Sequence, residues 1–124
     1  MSDAVDAEFF ARLSQLNDKF AASLPTTLGR LAALRLAFDP AHPAEDQVGD
    51  MHAILHTLAG SAATFGFRVL GQEARALEQR LRVFTTFDAV LPADWEAWLL
   101  ELDVFVAWGL QDPKGAYPND ESAI

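Results

Sequence analysis

Residues 51–67 read MHAILHTLAGSAATFGF, and the rest of the chain is best read outward from them. At about 100° per residue, Val48, Met51, Leu55, Leu58, Ala62 and Phe65 fall on one face of a helix, with Ile54 at its edge. His56 projects about 100° away from Leu55, on the flank of that stripe or beyond it. Its helix-surface neighbours lie three and four residues away: Ala53, Ala59, Gly60 and His52, with Ala63 two turns on. Methyl groups, bare backbone and one other imidazole therefore ring this histidine. A glycine inside a helix costs roughly 0.8–1 kcal/mol relative to alanine. Gly60 thus implies close approach, either by a packed helix or by a visiting partner.

An unhindered imidazole on a rigid helix suits one chemistry in particular. Near neutral pH much of an ordinary histidine is neutral and nucleophilic. It can accept a phosphoryl group on a ring nitrogen and pass it on. A second protein must then close over it, so its neighbours must be short.

The run His56-Thr57-Leu58-Ala59-Gly60-Ser61-Ala62, followed by Gly66, resembles the signature of histidine-containing phosphotransfer (HPt) domains. That pattern is His-x-Leu-Lys-Gly-Ser, small residues, then a glycine ten positions after the histidine, as Gly66 is here. The downstream Leu77-Glu78 pair is similar to the family's next helix, and the resemblance spans residues 9–108. It implies that His56 is the phosphoacceptor of a phosphorelay, taking the group from a receiver-domain aspartate or a kinase and giving it to another receiver. It implies response-regulator receiver domains, and a hybrid sensor histidine kinase, as partners. The receiver would supply the magnesium ion, acidic pocket and lysine, so the chain would be a phosphotransfer mediator rather than an enzyme, with no cofactor of its own. Gly60 would admit the receiver, and Ser61 would orient the imidazole through a hydrogen bond. Ala59 departs from the family pattern, which most often has a lysine there that helps stabilise the phosphoryl group. An arginine of the next helix, Arg75 or Arg82, would then stand near the phosphoryl oxygens. His52 would pack beside His56 or tune it as a nearby titrating group. Phe10, Ala53 and Ala63 are the expected docking contacts. The alternative is an HPt fold that docks receivers without phosphotransfer, and Ala59 is the feature that favours it.

The length of 124 residues fits one domain, and the 51% hydrophobic content is enough for a core. A net charge of −9 argues against nucleic acid as a partner. There is no cysteine. No apolar run approaches the roughly 20 residues of a membrane span, and the opening MSDAVDAEFF lacks a basic, apolar leader. These features lead to the expectation of a cytoplasmic monomer.

Along the chain, Phe9, Leu13, Leu16, Phe20 and Leu24 predict a first helix over 6–24, capped by Asp3 or Asp6. Pro25 either starts a second helix, over about 26–38, or kinks one long helix. Phe9 and Phe10 cannot both face one core, so one packs on a helix end or belongs to an apolar docking surface. Residues 39–44, DPAHPA, form a loop. Helices follow over about 44–64, ended by Gly66, over 68–83 and over 92–109. On the helix over 68–83, Glu73, Arg75, Glu78, Arg80 and Arg82 fall on the polar side. On the last, Leu100, Val104 and Trp108 make a second apolar stripe, as in a helix wedged between others. Residues 111–124 read as a flexible tail or linker after a domain over 1–110. Together these predict an all-α fold: an antiparallel up-down four-helix bundle with an additional N-terminal helix.

Two other chemistries fit these residues less well. His52 and His56 have the spacing of two zinc ligands on a helix, but Ala53 stands where the metalloprotease motif has glutamate. No glycine-rich phosphate loop is present, so the chain lacks a means to bind ATP and phosphorylate itself.

Overall fold

The computed structural model describes residues 2–87 and 89–118. The described residues form a helical bundle of four helices: α1 (Ser2–Ala37), α2 (Glu45–Thr64), α3 (Arg68–Thr86) and α4 (Pro92–Gln111). There is no strand among them.

The first correction lies in α1. No separate N-terminal helix precedes the bundle, because the helix runs through Pro25 for 36 residues. Proline removes the amide that would serve the carbonyl of Ala21. Both residues lie on the exposed side, where water can serve that carbonyl instead. The helix therefore continues, and its core-facing residues Leu24, Leu28 and Leu31 are buried. The turns before Leu24 are only loosely covered. Phe9 and Phe10 are 60% and 62% exposed, and their rings pack on each other edge to face at 5.6 Å. Neither joins the core.

The α2–α3 turn follows from local chemistry. Gly66 takes φ 86°, a left-handed conformation natural to glycine. This lets the Phe67 amide reach back to the carbonyl of Ala62 at 2.8 Å, while Phe65 bonds to Ser61 at 3.1 Å. Gly66 thus ends α2 as the sequence predicts, in the Schellman manner. The two helices then pack closely at Gly71. A Cβ there would lie 3.2 Å from the Ala63 amide nitrogen and 3.3 Å from the Ala59 carbonyl oxygen. This close approach buries Ala59, a helix-surface neighbour of His56 by spacing.

The core is strongly aromatic where α4 meets the rest. Trp98 is fully buried and donates its indole N–H to the carbonyl of Leu77 at 3.1 Å. Trp95 sits between Phe38 and Phe84, each 5.0 Å away. Arg35 on α1 and Asp103 on α4 form a forked ion pair at 2.9–3.2 Å.

The second apolar stripe expected on α4 is mostly not buried. Leu100 is 61% exposed and Val104 39% exposed, because α4 packs on one side only, against α1 and α3. Trp108 is the exception, and its cover comes from the segment after the helix. Residues 112–118, read from sequence as the start of a flexible tail, turn back on the bundle. The Asp112 amide bonds to the Trp108 carbonyl at 2.8 Å, and the Tyr117 ring lies edge-on to Trp108 at 4.9 Å. Lys114 places its ammonium 4.6 Å from the centre of the Phe67 ring. The apolar area of Trp108 and Tyr117 outweighs the breaking tendency of Pro113 and Gly115. The remainder of the expected tail, 119–124, lies outside the described residues.

Burial pushes the Tyr117 phenol up to about 12, with the charges of Glu73 and Glu101 acting in the same direction. The folded state therefore holds this proton more tightly than the unfolded chain, where the value is near 10.0. The resulting stabilisation is complete below pH 10 and is lost as pH rises through about 12. Tyr117→Phe should remove that alkaline loss, as measured by denaturant midpoints across this pH range.

Candidate functional site

His56 lies in the middle of α2 and is displayed as the spacing predicts, with its side chain 68% exposed. Leu55 beside it is fully buried and Leu58 nearly so, which fixes the rotation of the helix and leaves the imidazole on the flank. Ala53, Thr57, Gly60 and Ala63 around it are all exposed. A Cβ added to Gly60 would meet nothing within 4 Å. Among the described residues no packed helix occupies the space above Gly60.

The helical pattern places Glu78 on the polar side of α3, but the structure buries it. Glu78 is 2% exposed, and it is the one buried charged residue among those described. Its Oε1 lies 3.4 Å from His56 Nδ1, 3.3 Å from His52 Nε2 and 2.5 Å from an Arg82 Nη2. Glu78 is at the margin of the Leu70–Ala74–Leu77–Leu81 stripe, and the close packing at Gly71 brings that margin under α2. Its position one turn after Ala74 and next to Leu77 is the signal that could have revealed it. Burial pushes the Glu78 carboxyl up. Hydrogen bonds from His56 and Arg82, with the positive charges of Arg82 and His52, outweigh burial and hold it below its usual 4.5. The site therefore contains an ionised carboxylate beneath an exposed imidazole.

The other sequence-based candidates divide by location. His52, its side chain 35% exposed, lies one turn before His56, with the two rings nearly parallel at 12° and 6.2 Å between centres. Arg82 joins the same cluster while keeping its side chain 61% exposed. Arg75 does not. It lines a groove with Ala59, Ala63, Gly71 and Gln72, and among the described residues no hydrogen bond or ion pair links it to His56 or Glu78. Ser61 is also placed elsewhere. It lines the groove between α1 and α2 with Ala53, Thr57 and Thr27, and the described hydrogen bonds of His56 go to Glu78, not to Ser61. Ala59 faces α3 and offers no charge to the site. Phe10 is distant in sequence and sits on the uncovered part of α1. Among the described residues no group of three His, Cys, Asp or Glu is arranged to hold a metal ion. His42, in the loop, is exposed and pairs with Asp39 at 3.2 Å.

The bundle thus presents the exposed His56 imidazole above the buried Glu78 carboxylate, with small side chains around it. The chain belongs to the Hpt domain family, whose model matches residues 15–107, most of the sequence. Hpt domains mediate histidine phosphotransfer in two-component phosphorelays, interacting with receiver domains and kinases rather than acting as classical enzymes. No curated protein and no solved structure matches the chain. Among the described residues no helix is long and apolar enough to cross a membrane.

Proposed function

We propose that this chain is a phosphorelay intermediate in which His56 accepts a phosphoryl group from a receiver's phosphoaspartate and gives it to the aspartate of another receiver. One observation carries the reading: among the described residues the exposed imidazole makes its hydrogen-bond contact through Nδ1, to the buried Glu78 carboxylate at 3.4 Å. A carboxylate only accepts, so Nδ1 carries the hydrogen and Nε2 keeps its lone pair facing solvent. That lone pair attacks phosphorus as the bond from phosphorus to the aspartyl oxygen breaks. The aspartate leaves as a carboxylate, the N–P bond forms, and the ring becomes cationic. Glu78 stabilises that charge across Nδ1–H, as a buried acid does for an imidazolium in hydrolytic triads. The return step is the same displacement in reverse, and no proton need leave the ring.

Ala59 supplies no cation, and Arg82 is the side chain placed to do so. One of its Nη atoms is engaged by Glu78, and its remaining N–H groups lie at the surface beside His56, where phosphoryl oxygens would come. Arg75 is less well placed. Ala53 and Ala63, on either side of His56, form the floor on which the receiver closes, with Phe10 as an outlying apolar contact. The reading also carries an antiparallel up-down bundle, a cytoplasmic location and a monomeric working form.

The test is direct. The protein is incubated with a panel of phosphorylated receiver domains and magnesium, and acid-labile, base-stable phosphate on it is followed. Label supports the relay. Binding without label from any receiver makes the chain a docking module instead. Gly60→Ala gives a second, opposed pair of readouts. The open space above Gly60 leaves only the helix-propensity gain, so stability should rise by about 0.8–1 kcal/mol. Phosphoryl transfer should slow, because the added methyl stands where the receiver approaches.

A further inference from the structure

Three donors converge on one oxygen of Glu78, and one carboxylate oxygen has room for about two. Arg82 is close, at 2.5 Å. The two imidazoles stand off at 3.3 Å for His52 and 3.4 Å for His56, both longer than the usual 2.7–3.2 Å of a full N–H···O bond. Their rings are nearly parallel and one helical turn apart, so a small movement of Glu78 toward either ring lengthens its distance to the other.

We propose that His52 is a positioning residue that competes with His56 for Glu78 and so limits how much of His56 is armed for phosphoryl transfer. When Glu78 turns to His56, Nδ1 keeps its hydrogen and Nε2 is the free nucleophile. When Glu78 turns to His52, His56 loses the acceptor that fixes its tautomer, and its ring is free to carry the hydrogen on Nε2 instead. His52 also lines the cavity of about 570 Å³ between α2 and the α3–α4 connection, with Val48, Arg82, Phe84 and Trp95. Whatever engages His52 from that side would release Glu78 to His56. This inference rests on the phosphorelay reading for its consequence, but the competition itself is a property of the resting protein.

The test uses the ¹⁵N-labelled chain at alkaline pH. The ring-nitrogen shifts of His56 report the fraction with hydrogen on Nδ1. His52→Phe keeps a ring but removes the donor. That fraction should rise, and the rate of phosphoryl acceptance should rise about two- to tenfold, the ratio that one hydrogen bond's net contribution corresponds to. His52→Ala removes the donor without adding bulk and should give the same rise. His52→Gln restores an N–H donor and should return the fraction toward the wild-type value. An unchanged or falling Nδ1–H fraction in both His52→Phe and His52→Ala overturns the competition. A rise in that fraction without phosphate from any receiver leaves the competition standing and sinks the phosphorelay reading.

Discussion

His56→Gln is expected to abolish acid-labile phosphate on the protein while leaving the fold and its stability nearly unchanged. The argument for total loss is chemical. A glutamine amide nitrogen has no available lone pair, the neighbours Ala53, Ala59, Gly60 and Ala63 offer no nucleophile, and His52, one turn away, has its Nε2 turned to Glu78. The argument for an unchanged fold is structural. The His56 side chain is 68% exposed, and its described polar contact is the long one to Glu78. Substitutions at such positions usually stay within about 0.5 kcal/mol. A glutamine can also place an N–H toward the same carboxylate. The melting temperature should therefore shift by no more than a few degrees, and affinity for an unphosphorylated receiver should persist. Phosphate that remains on His56→Gln would move the acceptor to His52 or His42, and the relay mechanism would need another nucleophile.

Much of this was legible in the sequence, and the misses have physical reasons. The α2 stripe, the exposure of His56 and the Gly66 stop all depend on residues near one another in the chain, and helical periodicity resolves them. Pro25 illustrates where local rules fail. The proline penalty is real, but its missing hydrogen bond falls on the solvent side, and the buried leucines at 24, 28 and 31 hold the helix together. Trp108 and Tyr117 show the same limit at the other end. The segment over 112–118 looks like a linker by composition, and only the three-dimensional placement of Trp108 gives Tyr117 a surface to cover. Glu78 is the most instructive miss. A glutamate beside arginines on an amphipathic helix reads as solvated, and its burial depends on Gly71 letting α3 approach α2. That contact joins two helices, and the period of neither one reports it.

Glu78→Gln should then slow phosphoryl acceptance about ten- to a hundredfold, and Glu78→Ala at least as much. The range follows from losing a hydrogen bond to a charged group, about 1.5–3 kcal/mol, at roughly 1.4 kcal/mol per decade of rate. The charge matters most as the N–P bond forms, because the ring becomes cationic only then. The loss should therefore appear in the chemical step, with affinity for the receiver little changed. Glutamine separates charge from shape. It keeps a carbonyl oxygen within reach of His56 but offers no negative charge to an imidazolium. A Gln variant that transfers at the wild-type rate would show that Glu78 serves as a spacer. Stability gives an independent check with a defined sign. The Glu78 carboxyl is held below its usual 4.5 in the folded protein. Its contribution is thus present above pH 4.5 and is lost as pH falls through the lower folded value. The wild-type advantage over Glu78→Gln should be present at neutral pH and shrink under acid, as followed by thermal melts across that range. A difference independent of pH would mean that the carboxylate is not ionised beneath His56, and the mechanism would lose the charge on which its transfer step depends.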